Sequence, residues 1–112
     1  MASVDDQASF VVMHGPLDDA RDISGGVTTG SVRIGDTATM STGIWEHSVG
    51  VSIDTENDEV FVVRSGRGRI CLQDGAILEL VPGTVGRLLA GEQTRWEIDE
   101  PLRKVWVSLN DR

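Results

Sequence analysis

Three side chains in this 112-residue sequence pair a reactive group with a setting that could use it: Glu59, Lys104 and His47. Glu59 opens the run Glu-Val-Phe-Val-Val, and strand alternation sets Glu59, Phe61 and Val63 on one face with Val60 and Val62 on the other. On an inward face this is a carboxylate beside an aromatic ring, its pKa raised by burial and lowered by any neighbouring cation. It is then a general base or an acceptor for a substrate amine or hydroxyl. The alternative is a structural ion pair with an arginine such as Arg69, or a solvated acid in the stretch from Asp54 onward. Lys104 is the single lysine beside nine arginines, and it shares a strand face with Trp106. It reads as an anion anchor or, if desolvated, a nucleophilic amine. The plainer reading is an edge lysine paired with Glu46 or Glu97. His47 follows Trp45-Glu46 and is either an acid or base at a pocket mouth or a partly exposed strand-end histidine.

Trp45, Trp96 and Trp106 are three of the five aromatic residues. An indole offers a flat apolar surface with one donor, suited to a small planar or cationic ligand, and equally suited to a core. Cys71 has no histidine in its own segment, so it reads as a small pocket or core residue rather than a nucleophile. A single cysteine excludes a disulfide within the chain and any Cys-x-x-Cys chemistry. Two histidines, His14 and His47, exclude a site of three imidazoles within one chain.

The elements that must position these groups are strands. Valine and isoleucine number 21 against 14 for leucine and alanine, and 13 glycines punctuate the chain, a bias toward pleated strands and tight turns. Candidates run Phe10 to Met13, Ser31 to Ile34, Ala38 to Met40, Ile44 to His47, Val51 to Asp54, Glu59 to Arg64, Arg69 to Gln73, Ala76 to Leu80, Thr84 to Leu89, Arg95 to Ile98 and Arg103 to Leu109. Asp74-Gly75 predicts a type I′ hairpin, and Ser65-Gly66-Arg67-Gly68 a looser connection. Leu17 to Ile23 is the best helical candidate and is good for one turn at most. Residues 1–30 are irregular and read as an arm, with residues 31–112 forming one all-β domain, a sandwich or barrel.

A net charge of -8 and a pI near 4.5 disfavour binding to nucleic acid or to an anionic membrane. No apolar stretch approaches the roughly 20 residues of a membrane span. The opening Met-Ala-Ser-Val-Asp-Asp lacks a basic start and an apolar run, so the expected location is cytoplasmic.

Gly43 to Val107 carries a series of pieces in a recognisable order. Gly43-Ile44-Trp45-Glu46 comes first, then Glu59 with Gly66 after six residues, then Gly83 followed by Leu89-Ala90-Gly91, with leucine where proline is usual. Trp96-Glu97 and Arg103-Lys104-Val105-Trp106 end the series. Together they resemble the cupin superfamily, and within it the cupins typified by the (S)-ureidoglycine aminohydrolase cupin domain and the ethanolamine-utilisation cupin. The resemblance implies a double-stranded β-helix, a jelly-roll barrel closed around a pocket. It also implies a homodimer in which the N-terminal arm adds a strand to its partner. Ligand contacts are then expected from Trp45, Glu46, Phe61, Trp96 and Trp106.

Metal-binding cupins use two histidines and a glutamate from the first motif and a histidine from the second. Here the histidine positions fall on Ser52 and Asp54 or on Ile53 and Thr55, and on Thr94, leaving Glu59 alone. No tightly bound metal or other cofactor is expected, because one carboxylate cannot supply the ligand set. The reading is a small cupin binding a small polar metabolite. The alternative is a hydrolase or isomerase of ureide or amino-acid metabolism, using Glu59 with Lys104 or His47 as acid and base. If Glu59 and Lys104 are placed to bind a ligand, Glu59→Gln and Lys104→Met should each abolish ligand-induced stabilisation and leave the melting temperature of the free protein nearly unchanged.

Overall fold

The computed structural model describes residues 21–24 and 26–109. Eight strands run through them, with no helix among the described residues: β1 (Arg21–Ser24), β2 (Val27–Asp36), β3 (Met40–His47), β4 (Gly50–Thr55), β5 (Glu59–Leu72), β6 (Ile77–Leu80), β7 (Val85–Leu88) and β8 (Gln93–Leu109). All pairings are antiparallel, in the order β1-β2-β3-β8-β5-β6, with β4 on β8 and β7 on β5. This is the expected all-β jelly roll in a single domain.

Two long strands, β5 and β8, make the eight strands one continuous sheet. The first half of β8 lies between β4 and the end of β5, while its second half lies between β3 and the start of β5. The β5–β8 register slips at Val63/Ser65, Ser65/Arg67 and Arg67/Gly68, and such bulges bend a strand and sharpen its twist. Gly66 sits in this bend with φ +91°, and a Cβ there would stand 2.2 Å from the Pro101 carbonyl oxygen. Only glycine tolerates both that dihedral and that contact. The bend folds both halves around one core of Phe61, Val63, Ile70, Leu80, Leu88, Trp96, Ile98 and Leu102.

Several local expectations change. Ser65 to Gly68 is a bulged stretch inside β5, not a loop, and Arg95 to Ile98 and Arg103 to Leu109 are one strand carried past Pro101. Ala38 and Thr39 precede β3 rather than forming a strand of their own. The β5–β6 hairpin stands where Asp74-Gly75 puts it, but among the described residues no non-glycine has positive φ, so its turn is not type I′. The Gly75 N–H donates to the Leu72 carbonyl at 3.0 Å and Gly75 has φ +91°, the form of a type I turn closed by a left-handed glycine. The last residues of the helical candidate, from Arg21, belong to β1. Its start, the Phe10 to Met13 strand and His14 lie outside the described residues. Of the stretch before Ser31, residues 21–24 and 27–30 lengthen the sheet beyond β3. No helix among the described residues is long and apolar enough to cross a membrane.

Candidate functional site

One cavity of about 290 Å³ opens between the ends of β2, β3, β5 and β8 and the β4–β5 connection. Its lining includes Trp45, Asp54, Glu56, Glu59, Trp96, Lys104, Trp106 and Ser108. Alternation explains most of this set: Ser41 and Trp45 from β3, Glu59 from β5, and Lys104, Trp106 and Ser108 from β8 share the inward faces. Trp106 can lie across β3 because Gly43 has no side chain. A Cβ on Gly43 would stand 2.7 Å from Trp106 Cζ2.

Lys104 is 4% exposed and stands opposite Trp45 on β3 and Val63 on β5. Its ammonium donates to Glu59 Oε2. It also faces three aromatic rings, 4.8 Å from the Trp45 centroid, 4.9 Å from Phe61 and 4.7 Å from Trp96. A cation in that position gains from each ring's quadrupole, the more so when desolvated. The partner of Glu59 is therefore Lys104, not Arg69, which is held by Glu97 and Asp99. The two charges thus meet each other as well as lining the cavity, so the single variants are not expected to leave the free protein's melting temperature nearly unchanged. Removing either one leaves a buried uncompensated charge or acceptor, at a cost of roughly 3–5 kcal/mol.

Three residues expected in the site lie elsewhere. Glu46 is on the outer face, where Arg103 donates to its Oε2 at 2.8 Å. Phe61 is 1% exposed and lies under the Lys104 ammonium without lining the cavity. His47 is neither at the mouth nor partly exposed, because it is 1% exposed and packs edge-on against Trp45. Its Nδ1 lies 2.5 Å from the Ser48 carbonyl and its Nε2 2.8 Å from Ser52 Oγ. A carbonyl only accepts, so Nδ1 carries the proton and Nε2 accepts from the serine hydroxyl. Burial pushes the pKa of His47 down, partly offset by the Ser48 carbonyl. Cys71 is half-buried outside the core, beside Ile53 and Arg95 in a shallow outer groove.

Glu56 is the residue that sequence reasoning passed over. It is 7% exposed, and its Oε2 accepts from Thr94 Oγ1 at 2.6 Å and Trp96 Nε1 at 3.0 Å. Burial raises its pKa, the two donors lower it, and the nearby charges of Asp54 and Lys104 act in opposite directions. Ser52, Asp54 and Glu56 follow an i, i+2, i+4 spacing, so extending the alternation of β4 by two residues would have found it.

The four positions where the cupin pattern places metal ligands do not fit a metal. Ser52 is inward and Ile53 is 72% exposed, which selects the Ser52 and Asp54 alternative. The Ser52 hydroxyl is given to His47, Thr94 to Glu56, and Glu59 to the Lys104 ammonium. Among the described residues no group of three or more His, Cys, Asp or Glu side chains is arranged to hold an ion. The buried positive charge of this cavity is that of Lys104.

Comparison with known proteins agrees with the fold. A family model described as the EutQ-like cupin domain matches residues 34–106. The EutQ protein of Clostridium difficile superimposes with a TM-score of 0.76 at 15% identity, over 97% of this chain and 93% of that one. A cupin superfamily protein of Desulfitobacterium hafniense gives 0.62 at 16%, over 74% and 78%. Ectoine synthase of P. lautus gives 0.64 at 18%, over 80% and 67%. A search of curated proteins gives no significant match. At such identities the structural likeness speaks for the fold.

Proposed function

The chain belongs to the EutQ-like cupin domain family, and on that premise we propose that its barrel pocket binds a small polar metabolite without a tightly held metal. The observation that carries this reading is the Glu59–Lys104 pair at the foot of a cavity walled by Trp45, Trp96 and Trp106. A few placed polar groups among flat apolar walls is the composition of small-ligand sites. Glu59, Glu56 and Asp54 accept from ligand N–H or O–H groups, while Lys104 has further N–H bonds to donate to a carbonyl or carboxylate.

A second reading, an enzyme of the hydrolase or isomerase type, is favoured by Glu56. A carboxyl shifted upward beside the Glu59–Lys104 pair gives one pocket an acid and a base. Glu56 takes the place that His47 held in that scheme.

Ureides, amino acids and small carboxylates form the first panel for thermal-shift binding, the ureides because of the resemblance to ureidoglycine aminohydrolase cupins. The double variant Glu59→Gln/Lys104→Met removes both charges together and avoids the lone buried charge of either single change. We expect it to fold and to lose the ligand-induced rise in melting temperature. Equal stabilisation of wild type and double variant by the same ligand would overturn the assignment of this pocket.

The working unit is proposed to be a homodimer. Val60, Val85 and Val107 are 48%, 67% and 40% exposed on neighbouring strands of one outer face. That face suits a second copy better than water.

A further inference from the structure

We propose that Lys104 forms a covalent imine with a small uncharged aldehyde or ketone bound in the barrel cavity. The inference rests on the pocket reading above and names its ligand class.

Nine arginines and one lysine divide the chain's cationic work unevenly. Arginine is the usual choice for a buried ion pair, since its fork binds carboxylates two bonds at a time and always stays charged. At the most enclosed cationic position of this fold stands the one residue whose amine can lose its proton and attack a carbon. Its ammonium lines the cavity with Glu59 in contact and Glu56 in the same lining.

The groups needed for each proton transfer are present. Glu59 takes a proton from the ammonium, and the freed amine adds to the carbonyl carbon as the C=O π bond breaks. The alkoxide takes the proton from Glu59, and the adduct nitrogen, still positively charged, passes one of its two protons to the freed Glu59 carboxylate, giving a neutral carbinolamine. The carbinolamine hydroxyl then receives a proton from the Glu56 carboxyl and departs as water, as the nitrogen lone pair forms the C=N bond. Transfer of the proton now on Glu59 to Glu56 through the cavity restores both side chains to their starting states. In sum, one ammonium and one carbonyl give one iminium and one water, with no redox partner and no net change of charge. The three rings and Glu59 that hold an ammonium also hold the iminium, because both are cations at the same nitrogen.

The ligand's charge follows from the same lining. With Glu56 protonated as the mechanism requires, Asp54 and Glu59 face the cavity with Lys104, and Arg33 at its rim is 59% exposed and paired with Asp36. A carboxylate-bearing oxo acid meets more negative charge than positive, whereas a neutral carbonyl compound does not.

The full chain is incubated with propanal and sodium cyanoborohydride at neutral pH, and the adducts are mapped by peptide mass spectrometry. Lys104 carries the only ε-amine, so a trapped side-chain adduct has one address. The expected result is reductive alkylation of Lys104 at least tenfold faster in the folded protein than in the same chain in urea. Pyruvate, each rate taken relative to that on a free lysine peptide, should be trapped more slowly than propanal. Glu59→Gln should slow the trapping, and mapping of wild type stands even if that variant fails to fold. Trapping no faster than in urea overturns the proposal, and pyruvate trapped as readily as propanal overturns the ligand class. Thermal shift with propan-1-ol and the ureide panel separates the two readings. Ligand stabilisation without trapping sinks the imine and leaves the binding pocket standing.

Discussion

Trp45 has a buried imidazole on one side and a buried ammonium on the other, and the two respond to pH differently. His47 ordinarily titrates near 6.5, and burial lowers that value in the fold. As pH falls below 6.5 the unfolded chain takes up a proton that the folded chain refuses. The stability associated with the neutral ring is therefore full above pH 6.5 and is lost as pH falls through the lowered folded value. Urea denaturation at pH 7.5 and 5.5 should show this loss. His47→Phe, which fills the space with no titrating group but strands the Ser52 hydroxyl, should cost about 1–3 kcal/mol at pH 7.5 and show a smaller fall between the two pH values. An unchanged fall would mean that another group sets it. Glu56 has the opposite sign. Its carboxyl is raised from 4.5 by burial, so its contribution is full below pH 4.5 and is lost as pH rises through the folded value. Glu56→Gln keeps an acceptor for Thr94 and Trp96. It should therefore stabilise the protein at pH 8 and do little at pH 4.

At the scale of elements, the bend of β5 over β8 sets which charges meet. Alternation alone places Glu59 with Phe61 and Lys104 with Trp106, and the structure keeps both pairs on inward faces. That the two charges touch was not legible, because Lys104 stands opposite Val63 and Glu59 opposite Ser108, a register shaped by bulges that carry no periodic signal. Glu56 escaped for a different reason: it lies just past the end of β4, outside the residues read as a strand, although the alternation of β4 carries on to it. His47 was misplaced because a strand-end position says nothing of what packs over it, here Trp45. The motif glycines and tryptophans, by contrast, were readable as an ordered set, and they led to the right fold. Gly66→Ala tests the bend itself. With φ +91° and the Pro101 carbonyl 2.2 Å from the new Cβ, it should lower stability by about 2 kcal/mol or more. It should also weaken ligand-induced stabilisation, measured by thermal shift, because the register that joins Glu59 to Lys104 shifts with it. Ligand response preserved in a destabilised Gly66→Ala would separate the site from the bend.

For the whole molecule, assembly is the open physical question that the outer valines pose. A chain of net charge -8 pays a repulsive penalty on self-association that salt screens, while burial of Val60, Val85 and Val107 favours it. Sedimentation equilibrium should therefore give a dimer that tightens with added salt, and Val85→Glu on the exposed edge should shift it toward monomer with little change in melting temperature. Deletion of residues 1–20 should weaken the dimer too if the arm contributes, as the resemblance implies. A wild-type monomer at all salt concentrations would count against this.

The position of β8 in the chain order also bears on how the protein is made. It pairs with β3, β4 and β5, and all three are synthesised before it. A nascent chain thus holds β4 unpaired and β3 and β5 each with an open edge, and the cavity has no lysine, two of its three indoles missing and only part of its wall. Nothing in the barrel can close early, so the interval between translation of Leu72 and release of Leu109 is when the chain is exposed to wrong pairing with its neighbours. Chaperone dependence during synthesis, more than stability once folded, is the quantity on which substitutions in β8 should first be felt.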